Sequence, residues 1–198
     1  MRPSSLLLPT ALLSLLLMLT GCASMLAPMS ETPTDQNHGK RTFGAKVEDH
    51  NIERKTKINL YRSAPNLRDE GKVKVVSING NLLLVGEVAN PDIKQDAGKI
   101  AKQIRHVRSV HNEITVREKA SVFSNISDTW ITTKTKIRLL LASQVPGRRT
   151  KVVTRRGVVY IMGLMTKAEA DAVVKRVQRV YGVQKIVKII EYIDIPEA

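Results

Sequence analysis

The chain has 198 residues, carries 32 Lys+Arg against 18 Asp+Glu for a formal net charge of +14, and is poor in aromatics at 4%. That length suits one medium domain or two small ones, and the positive surplus selects anionic partners (nucleic acid, phospholipid, lipopolysaccharide or an acidic protein face) without fixing a fold. A lone cysteine, Cys22, excludes an intrachain disulfide, the four histidines have no metal-ligand spacing, and no nucleophile elbow or phosphate-cradling glycine loop occurs, so the sequence argues against an enzyme and against a metal cofactor.

Residues 1–21 read as an export signal. Arg2 supplies the positive start, and Leu6–Leu19 is an apolar run too short to be a comfortable membrane span, which needs about 20 residues. It ends in Leu19-Thr20-Gly21-Cys22, which resembles a bacterial lipobox. Cleavage there leaves Cys22 as the new N-terminus, carrying an S-diacylglycerol and an N-acyl chain such as palmitate; more than one chain is needed for stable anchoring. The next residue is Ala23, not the aspartate that retains such lipoproteins at the inner membrane, so the expected location is the outer membrane, facing the periplasm. A periplasmic protein meets little nucleic acid, which removes that partner class. Residues 22–47 are polar, with Pro28, Pro33, Gly39 and Gly44, and read as a lipidated N-terminus and flexible tether.

The remainder is one unit written twice, expected over 48–118 and 126–195. Asp49, Ile52, Lys55-Thr56-Lys57-Ile58 and Leu60 recur as Asp128, Ile131, Lys134-Thr135-Lys136-Ile137 and Leu139, 79 residues later. Lys74–Gly80 matches Lys151–Gly157 at a spacing of 77, and Val107-Arg-Ser-Val110 is aligned with Val180-Tyr-Gly-Val183 at 73, as though the second copy had lost four residues around its second helix. In each copy a helix capped by an aspartate (Asp49–Tyr61, Asp128–Ala142) leads to a loop with a proline (Pro65, Pro146). Two strands follow, joined at Asn79-Gly80-Asn81 or Arg156-Gly157, and then a second helix and a last strand. A right-handed crossover makes that last strand parallel to the second. The fold class is therefore α+β, two tandem modules, each a small three-stranded mixed sheet with both helices on one face. Copies of about 70 residues are expected to dock on one another to hide surface that neither covers alone.

The first helix of the second copy has two apolar faces. Ile131, Thr135, Leu139 and Ala142 form the stripe a helix turns into its own domain. Trp130, Ile137 and Leu141, with Leu140 on their flank, form another; Lys134 lies within it, and Lys136 and Arg138 border it. Tryptophan with aliphatics and a cationic rim suits the boundary between acyl chains and anionic headgroups. The competing reading is that this stripe packs on another part of the same chain. Copy one has Asn51 for Trp130, and Tyr61 and Arg62 for Leu140 and Leu141, while the core positions are unchanged, so the second stripe is an addition the fold does not require. The second copy is also the more basic: 14 Lys+Arg against 6 Asp+Glu from residue 128, compared with 14 and 10 over 48–119.

The Asp-x-x-Ile-x7-Leu helix, the hairpin of the form Gly-x-aliphatic-x-aliphatic-x-Gly and the Val-x-Gly-Val ending resemble a BON domain, present twice. With the lipobox, the chain resembles the dual-BON outer-membrane lipoproteins of the division- and outer-membrane-stress-associated lipid-binding family; Asp128-Thr-Trp-Ile-Thr-Thr-Lys is close to that family's tract. Ser109, standing where the family pattern has glycine, is the visible departure. The resemblance implies binding of an anionic phospholipid such as phosphatidylglycerol by the first helix of the second domain, with enrichment at the division septum and support of the outer-membrane barrier. The candidate contacts are Trp130, Thr133, Lys134, Lys136, Ile137, Arg138, Leu140 and Leu141. The alternative is an envelope adaptor, the same stripe gripping a protein of the division or peptidoglycan-remodelling machinery.

Overall fold

A computed structural model describes residues 39–64, 73–117, 122–143 and 145–194. The export segment, Cys22, most of the tether and Pro65 lie outside the described residues. Those described fall in one compact unit, residues 38–198.

Each copy folds as helix, two strands, helix, strand. The first has α1 (Phe43–Ser63), β1 (Lys74–Ile78), β2 (Asn81–Val88), α2 (Pro91–Lys102) and β3 (Ser109–Val116). The second has α3 (Val122–Leu140), β4 (Lys151–Arg155), β5 (Val158–Met165), α4 (Lys167–Gln178) and β6 (Lys185–Tyr192), with a single 3-10 turn, Gly147–Arg149, before β4. The sheet orders are β1-β2-β3 and β4-β5-β6; the first pair in each is antiparallel and the second parallel, as the crossover rule requires. Both hairpins turn on two residues of positive φ, Asn79 (52°) and Gly80 (75°), then Arg156 (49°) and Gly157 (73°), whose twist matches that of the strands.

Two expectations are corrected. The first helices do not start at Asp49 and Asp128. α1 begins at Phe43, inside the stretch read as tether, and Thr42 caps it by accepting from the Ala45 N–H at 3.1 Å. Asp49 and Asp128 lie within their helices, buried, and clasp the hairpin turns instead. Asp49 accepts from the Asn79 and Gly80 N–H groups at 2.8 and 2.9 Å, and Asp128 from those of Arg156 and Gly157 at 2.7 and 2.9 Å. The carboxylate satisfies backbone donors, as a cap does, but the donors belong to a distant turn.

The second correction concerns the spacing. Val107 and Val183 make equivalent turns, donating to the carbonyls of Ile104 and Val180, and Arg108 and Gln184 donate to those of Gly80 and Gly157. The spacing there is 76, so a single residue is lost, between β2 and α2, where Ala89-Asn90 becomes Thr166 alone. The position matching Gly182 (φ 94°) is then His106, itself left-handed at φ 68°, rather than Ser109. His106 makes this conformation with its ring tied to Glu48 at 2.8 Å.

Strand parity builds the core. In β2, Leu82 and Leu84 face the helices and join Ile52, Leu60, Ala97 and Ala101, whereas Leu83 and Val85 face the other sheet. In β5, Val159 and Ile161 go to the helix side, and Tyr160 and Met162 to the sheet side. Val76, Ile78, Leu83 and Val85 thus meet Val153, Tyr160, Met162 and Ile189 in a core between the two sheets, giving a four-layer stack of helices, sheet, sheet and helices. The expected docking of the copies is this contact. Glu87 follows the same parity, is 1% exposed, and is held by Arg155 and Arg156 from the second module; Arg155 Nε donates to it at 2.9 Å.

Candidate functional site

α3 is seated by what it buries. Asp128, Ile131, Thr135 and Leu139 are inside, and Gly147 tucks under the end of the helix so closely that a Cβ there would sit 2.3 Å from the Leu139 carbonyl oxygen. The opposite face is therefore held outward by the core rather than left to choose.

On that face Trp130 is 61% exposed and Leu141, just past the last turn, 82%; Ile137 and Leu140 are more than half exposed. The competing expectation, that this stripe is covered by the chain's own residues, does not hold for the described structure. Lys134 lies within the stripe, its ammonium 5.7 Å from the centroid of the Trp130 ring, close enough for a cation–π contact. Arg138 borders the stripe on the side of α4 and donates from Nη1 to the Arg179 carbonyl at 2.5 Å.

The other candidates are spread wider. Thr133 is exposed and spends its hydroxyl on the Thr129 carbonyl at 2.9 Å. Lys136 lies about 120° round the helix from Trp130. Its charge acts instead on Lys74 of β1, whose ammonium is pushed below its usual range by burial first, then by the charges of Lys151 and Lys136. Lys136 thus belongs to a separate basic flank. Leu140 looks to a third side, onto a pocket of about 500 Å³ that Lys40, Lys46 and Arg148 also line.

Two features escaped sequence reasoning. Ile126 extends the stripe by a turn toward the N-terminus, hidden by the late helix start. Tyr181, 91% exposed in the turn after α4, stands across from Leu141; with Arg176, Arg179 and Val180 it closes a groove of about 550 Å³ against Lys134, Ile137, Arg138, Leu141 and Ala142. Its signal was a tyrosine before the turn glycine where copy one has Arg105. Among the described residues no group of three His, Cys, Asp or Glu could hold a metal, and no helix is long and apolar enough to cross a membrane.

Such a face, apolar and cationic on a duplicated α+β frame, is the candidate contact surface of the second copy. The chain matches the BON domain family over residues 48–118 and 127–194 and belongs to it. It is 31% identical over 183 residues to the outer membrane lipoprotein DolP of Haemophilus influenzae, covering 92% of this chain and 94% of that one, and is a dual-BON protein of the DolP family. A 21 kDa hemolysin of Actinobacillus pleuropneumoniae is 35% identical over 154 residues, covering 78% and 79%. Among solved structures, the C-terminal domain of CdsD, a structural protein of the type III secretion system of Chlamydia trachomatis, aligns at a TM-score of 0.29 with 14% identity over 73% of this chain and 96% of that one.

Proposed function

We propose that the chain is a non-enzymatic outer-membrane lipoprotein, anchored through acyl groups on Cys22 and facing the periplasm. Its second BON domain docks on anionic phospholipid, phosphatidylglycerol in particular, and so supports the outer membrane where the cell divides. The relationship to a relative named as an outer membrane lipoprotein supports the location. The observation that carries the binding reading is the outward Trp130, with Ile137 and Leu141 beside it, Leu140 on the flank and Lys134 over its ring. Tryptophan suits the headgroup layer because its ring is apolar and its N–H wants water. Basic residues near an anionic surface add roughly 1 kcal/mol each, so Lys134 and Arg138 with one inserted indole give useful, reversible affinity.

The test uses the chain from residue 22 with Cys22→Ala, so that acyl chains do not hold it to the vesicle. Trp130→Glu is expected to abolish sedimentation with phosphatidylglycerol vesicles while circular dichroism stays native. Unchanged binding with an intact fold overturns the reading. If instead a division or wall-remodelling protein is captured and lost on the same substitution, the face serves an adaptor. Palmitate labelling of wild type against Cys22→Ala tests the anchor.

A further inference from the structure

Building on the membrane-docking reading above, we propose that the groove between α3 and the end of α4 is a discrete headgroup site. It takes the phosphodiester of one anionic phospholipid against Lys134, Arg138, Arg176 and Arg179, while Tyr181 enters the bilayer surface as a second anchor beside the α3 stripe.

Charge is the first ground. These four cations line a groove with Ile137, Ala142 and Val180 as its apolar lining and the exposed Leu141 and Tyr181 at its lip, and no carboxylate lines it. Among the described residues none of the four is in an ion pair, whereas Arg41, Arg108, Arg149, Arg155 and Arg156 all are. Converging cations without a counter-charge repel one another unless an anion sits among them. Arg138 is also positioned: its hydrogen bond to the Arg179 carbonyl fixes the guanidinium across the groove, leaving its other N–H donors for an oxyanion. An apolar lining beside converging cations is the profile of a phospholipid, with acyl chain next to phosphate, rather than of a free inorganic anion.

The internal duplicate is the second ground. At the corrected spacings Arg138, Arg176 and Arg179 correspond to Asn59, Ile100 and Gln103, all uncharged. Leu141 and Tyr181 correspond to Arg62 and Arg105. The positions the fold needs are kept in kind: Val180 matches Ile104, and both are buried. Copy one thus keeps a single wall cation, Lys55 for Lys134, with uncharged residues at the other three wall positions and arginines at the two lip positions. A change this coordinated around one groove is not a packing requirement, since copy one folds the same way without it.

The experiment uses the same Cys22→Ala chain and phosphatidylglycerol vesicles, with phosphatidylcholine vesicles as the uncharged comparison. Arg176→Gln/Arg179→Gln is expected to weaken phosphatidylglycerol binding about tenfold, and Tyr181→Ser several-fold. Lys167→Gln/Lys185→Gln, which removes the same charge outside the groove, is expected to change it less than about twofold. A second measurement moves the indole: in Trp130→Phe/Tyr181→Trp, the tryptophan at 181 should shift to the blue and be quenched by brominated phosphatidylglycerol. Groove variants that bind like the parent, an equal loss in the lysine control, or an unquenched tryptophan at 181 each overturn the headgroup site while leaving α3 docking in place. A parent chain that ignores phosphatidylglycerol vesicles removes both.

Discussion

α1 and α3 are the same helix on the inside and different helices on the outside. Both bury aspartate, isoleucine, threonine and leucine at matching places: Asp49, Ile52, Thr56 and Leu60 against Asp128, Ile131, Thr135 and Leu139. Outward, α1 presents Asn51, Asn59 and Arg62 where α3 presents Trp130 and Arg138 and its end presents Leu141. Since one chain carries both, temperature, solvent and fold are shared, and what differs is what the fold leaves free to vary. The difference therefore marks function more cleanly than any single residue type.

The comparison can be broken at the seam first, because there it is least symmetric. Glu87 has Leu164 as its counterpart, and Arg155 has Ile78. Glu87→Leu should strand Arg155 in a half-buried site and cost about 3–5 kcal/mol of stability, read from the urea midpoint. Glu87→Leu/Arg155→Ile, which restores the apolar pairing, should recover most of it.

Next come the buried aspartates. Asp49 also accepts from the Ser77 hydroxyl at 2.7 Å and pairs with Arg41, whereas the described bonds of Asp128 are the two from its turn. At about 1 kcal/mol per net bond, Asp49→Ala should cost about 3–4 kcal/mol and Asp128→Ala about 2. Acid sharpens this. Burial alone would raise the pKa of Asp49, but the bonds from Gly80, Ser77, Asn79 and Arg41 outweigh it and hold the group below its ordinary 3.8. A folded pKa below the unfolded one means the contribution is complete above the unfolded value and is lost as pH falls through the folded one. Asp49→Asn should accordingly flatten the acid limb of a stability–pH curve below about pH 4.

The smallest effect has opposite signs in the two copies. The Thr56 hydroxyl donates to the Ile52 carbonyl at 2.7 Å, but the buried Thr135 Oγ1 has no partner among the described residues. Thr56→Val should lose about 1 kcal/mol and Thr135→Val should gain up to about 1, by thermal melts.

Much of this was legible in the sequence. Repetition exposed the strands, the turns and the parallel crossover because Asn-Gly and Arg-Gly turns and aliphatic runs are local signals. The outward stripe was legible because α3 could be subtracted from α1. What stayed hidden was non-local. A carboxylate that clasps a turn some thirty positions away reads the same as one that caps its own helix, so Asp49 and Asp128 misplaced both helix starts and hid Ile126. Tyr181 and the two arginines before it lie on another element, and only the packing of α4 on α3 brings them beside Leu141.

The wrapping of β2 and β5 on both faces has one more consequence. Split the duplication and each half would show an oily strip, Leu83 and Val85 on one fragment and Tyr160 and Met162 on the other, with Glu87 stripped of its arginines. The specialised half thus cannot be borrowed alone as a probe or fusion tag. Its plainer sibling covers that strip, so the copy without the exposed tryptophan stripe still serves the fold of the other.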